Sequence, residues 1–140
     1  MSIRSFVVVS ACAAFAATTV AFAQVTDTDF DGVPDAFDNC VLVPNGPLAG
    51  EGPPQYDVDQ DGYGNACDCD FKNDGAVGLG DINPLLQAQN SGAAEDAVLD
   101  VNGDGAVGLD DLNTCLNVFG SEPGPSGLAC AGTFGCGPEV

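Results

Sequence analysis

The chain has no histidine, and its only bases are Arg4 and Lys72, set against 21 acidic residues. Without imidazole it lacks the commonest general base and the nitrogen half of the usual zinc ligand set. With so few cationic side chains it has nothing to grip a phosphate backbone, and an excess of acid on this scale repels nucleic acid and acidic lipid. Long apolar runs are scarce as well. The one sustained stretch, Phe6 to Phe22, is short for a membrane span and is diluted by Ser10, Thr18 and Thr19.

That stretch follows Arg4 and ends in Ala21-Phe22-Ala23, small residues flanking a cut, so residues 1-23 are expected to form a secretory signal peptide cleaved before Gln24. Two alternatives are a membrane anchor and a lipoprotein signal, because Val9-Ser10-Ala11-Cys12 resembles a lipobox; the apolar run ahead of Cys12 is short for that, and more apolar sequence follows. The expected location is secreted or extracellular, with periplasmic or lipid-anchored through Cys12 as the alternative.

The remaining 117 residues carry all 21 acids and the single base Lys72, a formal charge of −20, and only 29 Val, Ile, Leu, Phe and Tyr residues. A chain so charged and so poor in apolar side chains cannot rely on a hydrophobic core alone. Two other devices are present: six cysteines, an even number in an exported chain, and acids that a cation could neutralise.

The acids are patterned. "DVNGDGAVGLDDLN", Asp100 to Asn113, is nearly repeated thirty residues earlier as "DFKNDGAVGLGDIN", Asp70 to Asn83. A hard divalent cation needs six to eight oxygens around one point. A twelve-residue loop supplies them from side chains at positions 1, 3 and 5, a carbonyl at 7 and a carboxylate at 12, with glycine at 6 for the sharp turn. The later copy places Asp100, Asn102, Asp104, the Ala106 carbonyl and Asp111 at those positions, with apolar Val107 at position 8 as the pairing of two such loops requires. The earlier copy offers Asp70, Asp74, the Ala76 carbonyl and Asp81, but Lys72 at position 3 replaces an oxygen with an ammonium; weak binding is expected there, with Asn73 or Asp68 making up the shell.

Leu109, Leu112, Leu116 and Phe119 recur at helical spacing, which predicts a short helix from about Asp111 and its counterpart from about Asp81, with Pro84 in its first turn. Ser91 to Leu99 is expected to form another short helix. Ser121 to Val140, with Cys130, Cys136 and three prolines, reads as irregular chain closed by disulfides.

The N-terminal part repeats the same chemistry without helical period. "DTDFDGVPDAFDNC" offers Asp27, Asp29, Asp31, the Val33 carbonyl, Asp35 and Asp38; "DVDQDGYGNACD" offers Asp57, Asp59, Asp61, the Tyr63 carbonyl, Asn65 and Asp68. Between them lies the Pro/Gly-rich insertion Asn45 to Pro54.

Two resemblances follow from these residues. The duplicated loop and helix of Asp70 to Gly120 resembles a type I dockerin domain, which implies calcium binding and a cohesin-like protein partner, as in assemblies that tether polysaccharide-degrading enzymes. Positions 10 and 11, often Ser-Thr in cohesin binders, are here Leu79-Gly80 and Leu109-Asp110, so calcium carries over more directly than the partner. Asp27 to Asp70 resembles a thrombospondin type 3 repeat, in which D-x-D-x-D-G loops wrap calcium with little secondary structure; this implies extracellular calcium binding and adhesion. The insertion departs from that family's compact spacing and is expected to loosen the link between the loops.

Six cysteines allow fifteen pairings. The type 3 resemblance implies Cys40 with Cys67 or Cys69, and Cys115, on a helix flank, could staple the tail through Cys130 or Cys136. For catalysis no nucleophile motif surrounds Ser91, Ser121 or Ser126, and carboxylates held ionised by calcium cannot serve as the acid of a glycosidase. The expected fold class is a small, loop-rich, calcium-stabilised and disulfide-linked protein. It would comprise a signal peptide (1-23), an irregular calcium-wrapped region (24-69), a mostly helical duplicated EF-hand-like domain (70-120) and a Cys/Pro/Gly-rich tail (121-140). The expected function is a secreted, non-catalytic calcium-binding adaptor or tether for a cohesin-like partner, with a calcium-rigidified structural or adhesion protein of a matrix or envelope as the alternative. Neither reading involves nucleic acid or membrane insertion after signal cleavage.

Overall fold

The computed structural model describes residues 25 to 50, 52 to 91 and 97 to 136; the expected signal peptide, most of the segment expected to form a helix at Ser91 to Leu99, and the last four residues lie outside the described residues. Among the described residues there are two α-helices, α1 (Leu79–Ser91) and α2 (Leu109–Asn117), two 3-10 turns at Asp35–Phe37 and Ala97–Leu99, and no strand. Everything else is loop, as expected of a chain in which Gly, Pro and Asp break both helical and alternating periods.

Both helices start two residues earlier than the apolar spacing indicates, because the closing aspartates serve as N-terminal caps. Asp81 accepts from the Gly78 N–H at 2.8 Å and Asp111 from the Gly108 N–H at 2.6 Å, so each sits in the first turn rather than ahead of it. A carboxylate there satisfies an orphan donor and complements the helix dipole. The earlier start moves Pro84 past the first turn of α1, where it cannot donate to the Gly80 carbonyl.

The two helices pack against each other around a small core of Cys69, Val77, Ile82, Leu85, Leu99, Val101, Leu112 and Cys115, with Phe71, Ala88, Val98 and Val107 at its edge. The thirty-residue repeat is visible in it: Cys69 matches Leu99, Phe71 matches Val101, Val77 matches Val107, Ile82 matches Leu112 and Leu85 matches Cys115. Each repeat thus contributes the same positions to one shared interior. The expected pairing of the two loops through position 8 is replaced by another. The turn at Gly120 folds the chain back so that Val77 donates to the Ser121 carbonyl at 2.9 Å and accepts from Gly120 at 2.8 Å, while Val107 only packs against the core.

Three disulfides bond Cys40 to Cys67, Cys69 to Cys115 and Cys130 to Cys136. The first is one of the two pairings implied by the type 3 resemblance. Cys115 does not staple the tail: its position on α2 matches core residue Leu85, so its side chain points inward and meets Cys69, buried at the junction between the N-terminal loops and the repeat. The tail closes on itself and lies along the N-terminal loops, Gly127 donating to the Asp38 carbonyl at 2.8 Å, Gly132 to that of Asp61 at 2.8 Å and Gly135 to that of Gln60 at 2.7 Å.

Candidate metal centres

The acidic segments share one twelve-residue register, beginning at Asp27 (loop A), Asp57 (loop B), Asp70 (loop C) and Asp100 (loop D). Position 6 is glycine with φ between 92° and 95° in every case: Gly32, Gly62, Gly75 and Gly105. Position 4 is also left-handed, although only loop D has glycine there: Phe30 at 64°, Gln60 at 60°, Asn73 at 52° and Gly103 at 71°. An ordinary side chain resists this conformation, so its recurrence with Phe and Gln shows that the loop imposes it.

The constraint comes from position 1. Its carboxylate accepts from the N–H of the position 6 glycine, at 3.2 Å for Asp27, 3.0 Å for Asp57, 2.5 Å for Asp70 and 2.8 Å for Asp100. Position 5 caps the following turn in the same way, Asp31, Asp61 and Asp104 accepting from Val33 at 2.8 Å, Tyr63 at 2.8 Å and Ala106 at 2.9 Å. These bonds turn the odd-numbered side chains toward the loop centre and set Val33, Tyr63, Ala76 and Ala106 at position 7. Position 12 closes each loop with a buried aspartate: Asp38, Asp81 and Asp111 at 0% exposure and Asp68 at 3%.

The loops differ in how those carboxylates are satisfied. In loops C and D the closing group is tied by backbone: Asp81 accepts from Lys72 at 3.1 Å as well as from Gly78, and Asp111 from Val101 at 2.9 Å and Asn102 at 3.3 Å as well as from Gly108. In loops A and B three carboxylates converge instead. Asp27, Asp29 and Asp31 bring oxygens within 4.8 Å of one another, as do Asp57, Asp59 and Asp61. In loop A three buried carboxylate oxygens, Asp27 Oδ1, Asp29 Oδ2 and Asp38 Oδ2, have no hydrogen-bond partner. A buried unpaired carboxylate oxygen is costly.

The titration behaviour follows from that crowding. Burial, and then the Asp31 charge, push Asp29 up; burial pushes up Asp38 and Asp57. Burial, reinforced by Asp59 and Asp57, raises Asp61 to about 6, and burial, reinforced by Asp61 and Asp59, raises Asp68 to about 7. In each case burial is the larger cause, and neighbouring carboxylates add to it. An oxygen-only donor set of this density suits a hard cation such as calcium; zinc is disfavoured because all six cysteines of the expected mature chain are in disulfides.

Some expected ligands are engaged elsewhere. Asp35 accepts from both the N–H and the hydroxyl of Thr28, each at 2.7 Å, and closes the start of loop A on itself. Asn65 accepts from Val58 at 3.0 Å and donates across to the Ala97 carbonyl at 3.1 Å, so its amide links loop B to the segment leading into loop D. In loop C, Lys72 Nζ lies 2.6 Å from Asp74 Oδ2, a contact that lowers the Asp74 carboxyl and raises the Lys72 amine, and the two residues expected to make up its shell, Asn73 and Asp68, make other contacts. Asn73 instead donates to Asp59 Oδ2 of loop B at 2.9 Å, and Asp68 accepts from Asp70 at 2.9 Å.

The insertion overturns its expectation. Rather than loosening the link between loops A and B, it binds loop A: Asn45 donates its N–H to Asp31 Oδ2 at 2.9 Å, Leu48 donates to the Asp31 carbonyl at 2.8 Å, and Gly46 packs so closely on the Asp31 carboxylate that a side chain there would clash. A buried amide cluster completes the support. Gln55 donates to Asp38 Oδ1 at 2.9 Å and Asn45 Oδ1 at 2.6 Å, and Asn45 donates to Asn39 Oδ1 at 2.7 Å. Sequence reasoning passed over Gln55, Asn39 and Asn45; the one available signal was amide residues bordering an otherwise Pro/Gly-rich stretch.

The loops just described have relatives among characterised proteins. The chain is 42% identical to mouse cartilage oligomeric matrix protein over 71 residues, which covers 44% of this chain and 8% of that protein. It is 46% identical to the bovine protein over 61 residues, covering 36% of this chain and 7% of the relative, and 46% identical to the human protein over 59 residues, covering 35% and 7%. The chain therefore corresponds to less than a tenth of the length of these relatives. These matches support the thrombospondin type 3 resemblance and leave the dockerin resemblance without support. No family model matches the chain, and no solved structure matches it.

Proposed function

We propose that the chain is a secreted structural or adhesion module of an extracellular matrix or envelope, rigidified by calcium and without catalytic activity. The observation that carries this reading is the set of unpartnered buried carboxylate oxygens of Asp27, Asp29 and Asp38 in loop A, a cage whose charge asks for a cation. Calcium would be held by Asp27, Asp29, Asp31 and Asp38 in loop A, by Asp57, Asp59, Asp61 and Asp68 in loop B and by Asp100, Asn102, Asp104 and Asp111 in loop D, supplying the positive charge that lets these acids stay ionised inside the fold. The similarity to an extracellular matrix protein and three disulfides, which form in oxidising compartments, support secretion. Among the described residues no helix is long and apolar enough to cross a membrane.

The test is calorimetric calcium titration of the disulfide-intact chain, with circular dichroism and limited proteolysis in calcium and in excess chelator. A ligand that binds only the folded state stabilises it by mass action, so chelator should expose loops A and B to protease; an equally resistant chelated protein would refute the reading. Extracellular modules bind calcium as weakly as about 10⁻⁴ to 10⁻³ M, so the titration must span that range.

The adaptor reading rests on one observation: the repeat places Leu79 and Leu109, the first residues of α1 and α2, at the same 68% exposure, a duplicated apolar position beside acidic loops. A pull-down with cohesin-bearing proteins, in calcium and in chelator, separates it from the structural reading.

A further inference from the structure

Loops C and D differ at two positions that touch each other. At position 3 Lys72 stands where loop D has Asn102, and at position 11 Gly80 stands where loop D has Asp110. In loop D the Asn102 amide bridges Asp104 Oδ2 at 3.2 Å and Asp110 Oδ2 at 3.1 Å. In loop C the lysine arm lies across Gly80, where a Cβ would collide with its Cε and Nζ, and the ammonium reaches Asp74 Oδ2 at 2.6 Å. The exchange is therefore paired: the acid that faces position 3 is lost where position 3 becomes cationic, and the space it leaves is filled by the lysine.

A second feature sets loop C apart. In loops A, B and D the position 3 side chain accepts from the position 5 N–H: Asp29 from Asp31 at 3.3 Å, Asp59 from Asp61 at 3.4 Å and Asn102 from Asp104 at 3.0 Å. Lysine has no acceptor, and in loop C the link between positions 3 and 5 is the ion pair instead. With Asp70, Asp74 and Asp81 against Lys72, this loop carries a net side-chain charge of −2, compared with −4 in loop D from Asp100, Asp104, Asp110 and Asp111.

We propose that Lys72 is the built-in cation of loop C: its half-exposed ammonium, paired with Asp74, supplies the positive charge that an ion supplies in the other loops, so loop C closes without metal and the chain holds three calcium sites, in loops A, B and D. The inference rests on the calcium reading for the number of ions, and on the geometry of Lys72, Asp74 and Gly80 for the closure of loop C. The ammonium both satisfies Asp74 and repels an incoming divalent ion. Loop C then serves as a permanent strut beside loop B, its Asn73 holding the Asp59 carboxylate at 2.9 Å.

Two measurements on the full disulfide-intact chain decide it, with calcium chloride as the only ligand. Calorimetry should count three ions in the parent chain and four in the double variant Lys72→Asn/Gly80→Asp, which restores the loop D pair. In excess chelator, amide hydrogen exchange at Gly75 should be at least tenfold slower than at Gly105, and Lys72→Met should erase that difference. Four ions in the parent chain, or equal exchange at the two glycines there, overturns the proposal whether or not the variants fold. Should no loop bind calcium, the calcium reading fails while the exchange comparison still decides whether lysine closes loop C.

Discussion

The side-chain amide of Asn65 donates to the backbone carbonyl of Asp100 at 3.3 Å, and also reaches the carbonyls of Ala97 at 3.1 Å and Val98 at 3.4 Å. One buried side chain from position 9 of loop B thereby holds the strand of chain that enters loop D, whose first residue is Asp100. Loops that are far apart in sequence are mechanically joined at this point.

Asn65→Ala should therefore act on both loops. Leaving the buried Asp100 carbonyl without this donor costs about 1 to 3 kcal/mol, to be read as a lowered urea midpoint. Calcium binding at loop D should weaken although none of its own residues has changed. Asn65→Asp, which keeps the shape but turns a donor into a charge facing carbonyls, should be worse than alanine.

The disulfides should differ in worth according to the length of chain they close. Cys69 and Cys115 are 46 residues apart and Cys130 and Cys136 only 6. In the chain-entropy account these closures amount to about 4 and about 2 kcal/mol. Replacing each pair by serine and measuring urea unfolding in calcium should reproduce that order. The Cys69 and Cys115 variant should also lose more, because it removes two core side chains as well.

Acid should stabilise the metal-free protein. The folded-state values of Asp61, about 6, and Asp68, about 7, lie above the ordinary 3.8, so the folded chain binds more protons than the unfolded one. Their contribution is fully present below about pH 4 and is lost as pH rises through 6 and 7. Thermal melts in chelator should rise on moving from pH 8 to pH 5, and Asp68→Asn should flatten the dependence. In calcium the trend reverses, since the ion competes with those protons.

Asp38→Asn separates the cost of the loop A cage from its use. Asp38 is fully buried with Oδ2 unpartnered. Removing its charge should raise stability in chelator by about 1 kcal/mol or more and weaken the tightest-caged calcium site at least tenfold, measured by melting and calorimetry side by side.

The local devices of this protein were legible in the sequence because each is a short-range bond. A carboxylate at position 1 reaches the N–H of position 6, glycine at position 6 permits the turn, and Ile82 with Leu85 and Leu112 with Cys115, three residues apart, bury one side of α1 and α2, whereas Leu109, Leu116 and Phe119 of the apolar spacing stay exposed. These follow from residue type and spacing alone, and the thirty-residue offset between Asp70 and Asp100 carries directly into matched core positions. What the tertiary structure decided are the relationships between segments. Cys115 meets Cys69 because its repeat partner is the core residue Leu85, the insertion grips Asp31 through backbone N–H groups that any sequence possesses, and Asn65 reaches out of its own loop to carbonyls more than thirty residues distant. Backbone donors and acceptors are the same at every residue, so their long-range partners leave no mark in composition or spacing, and only the folded arrangement selects them.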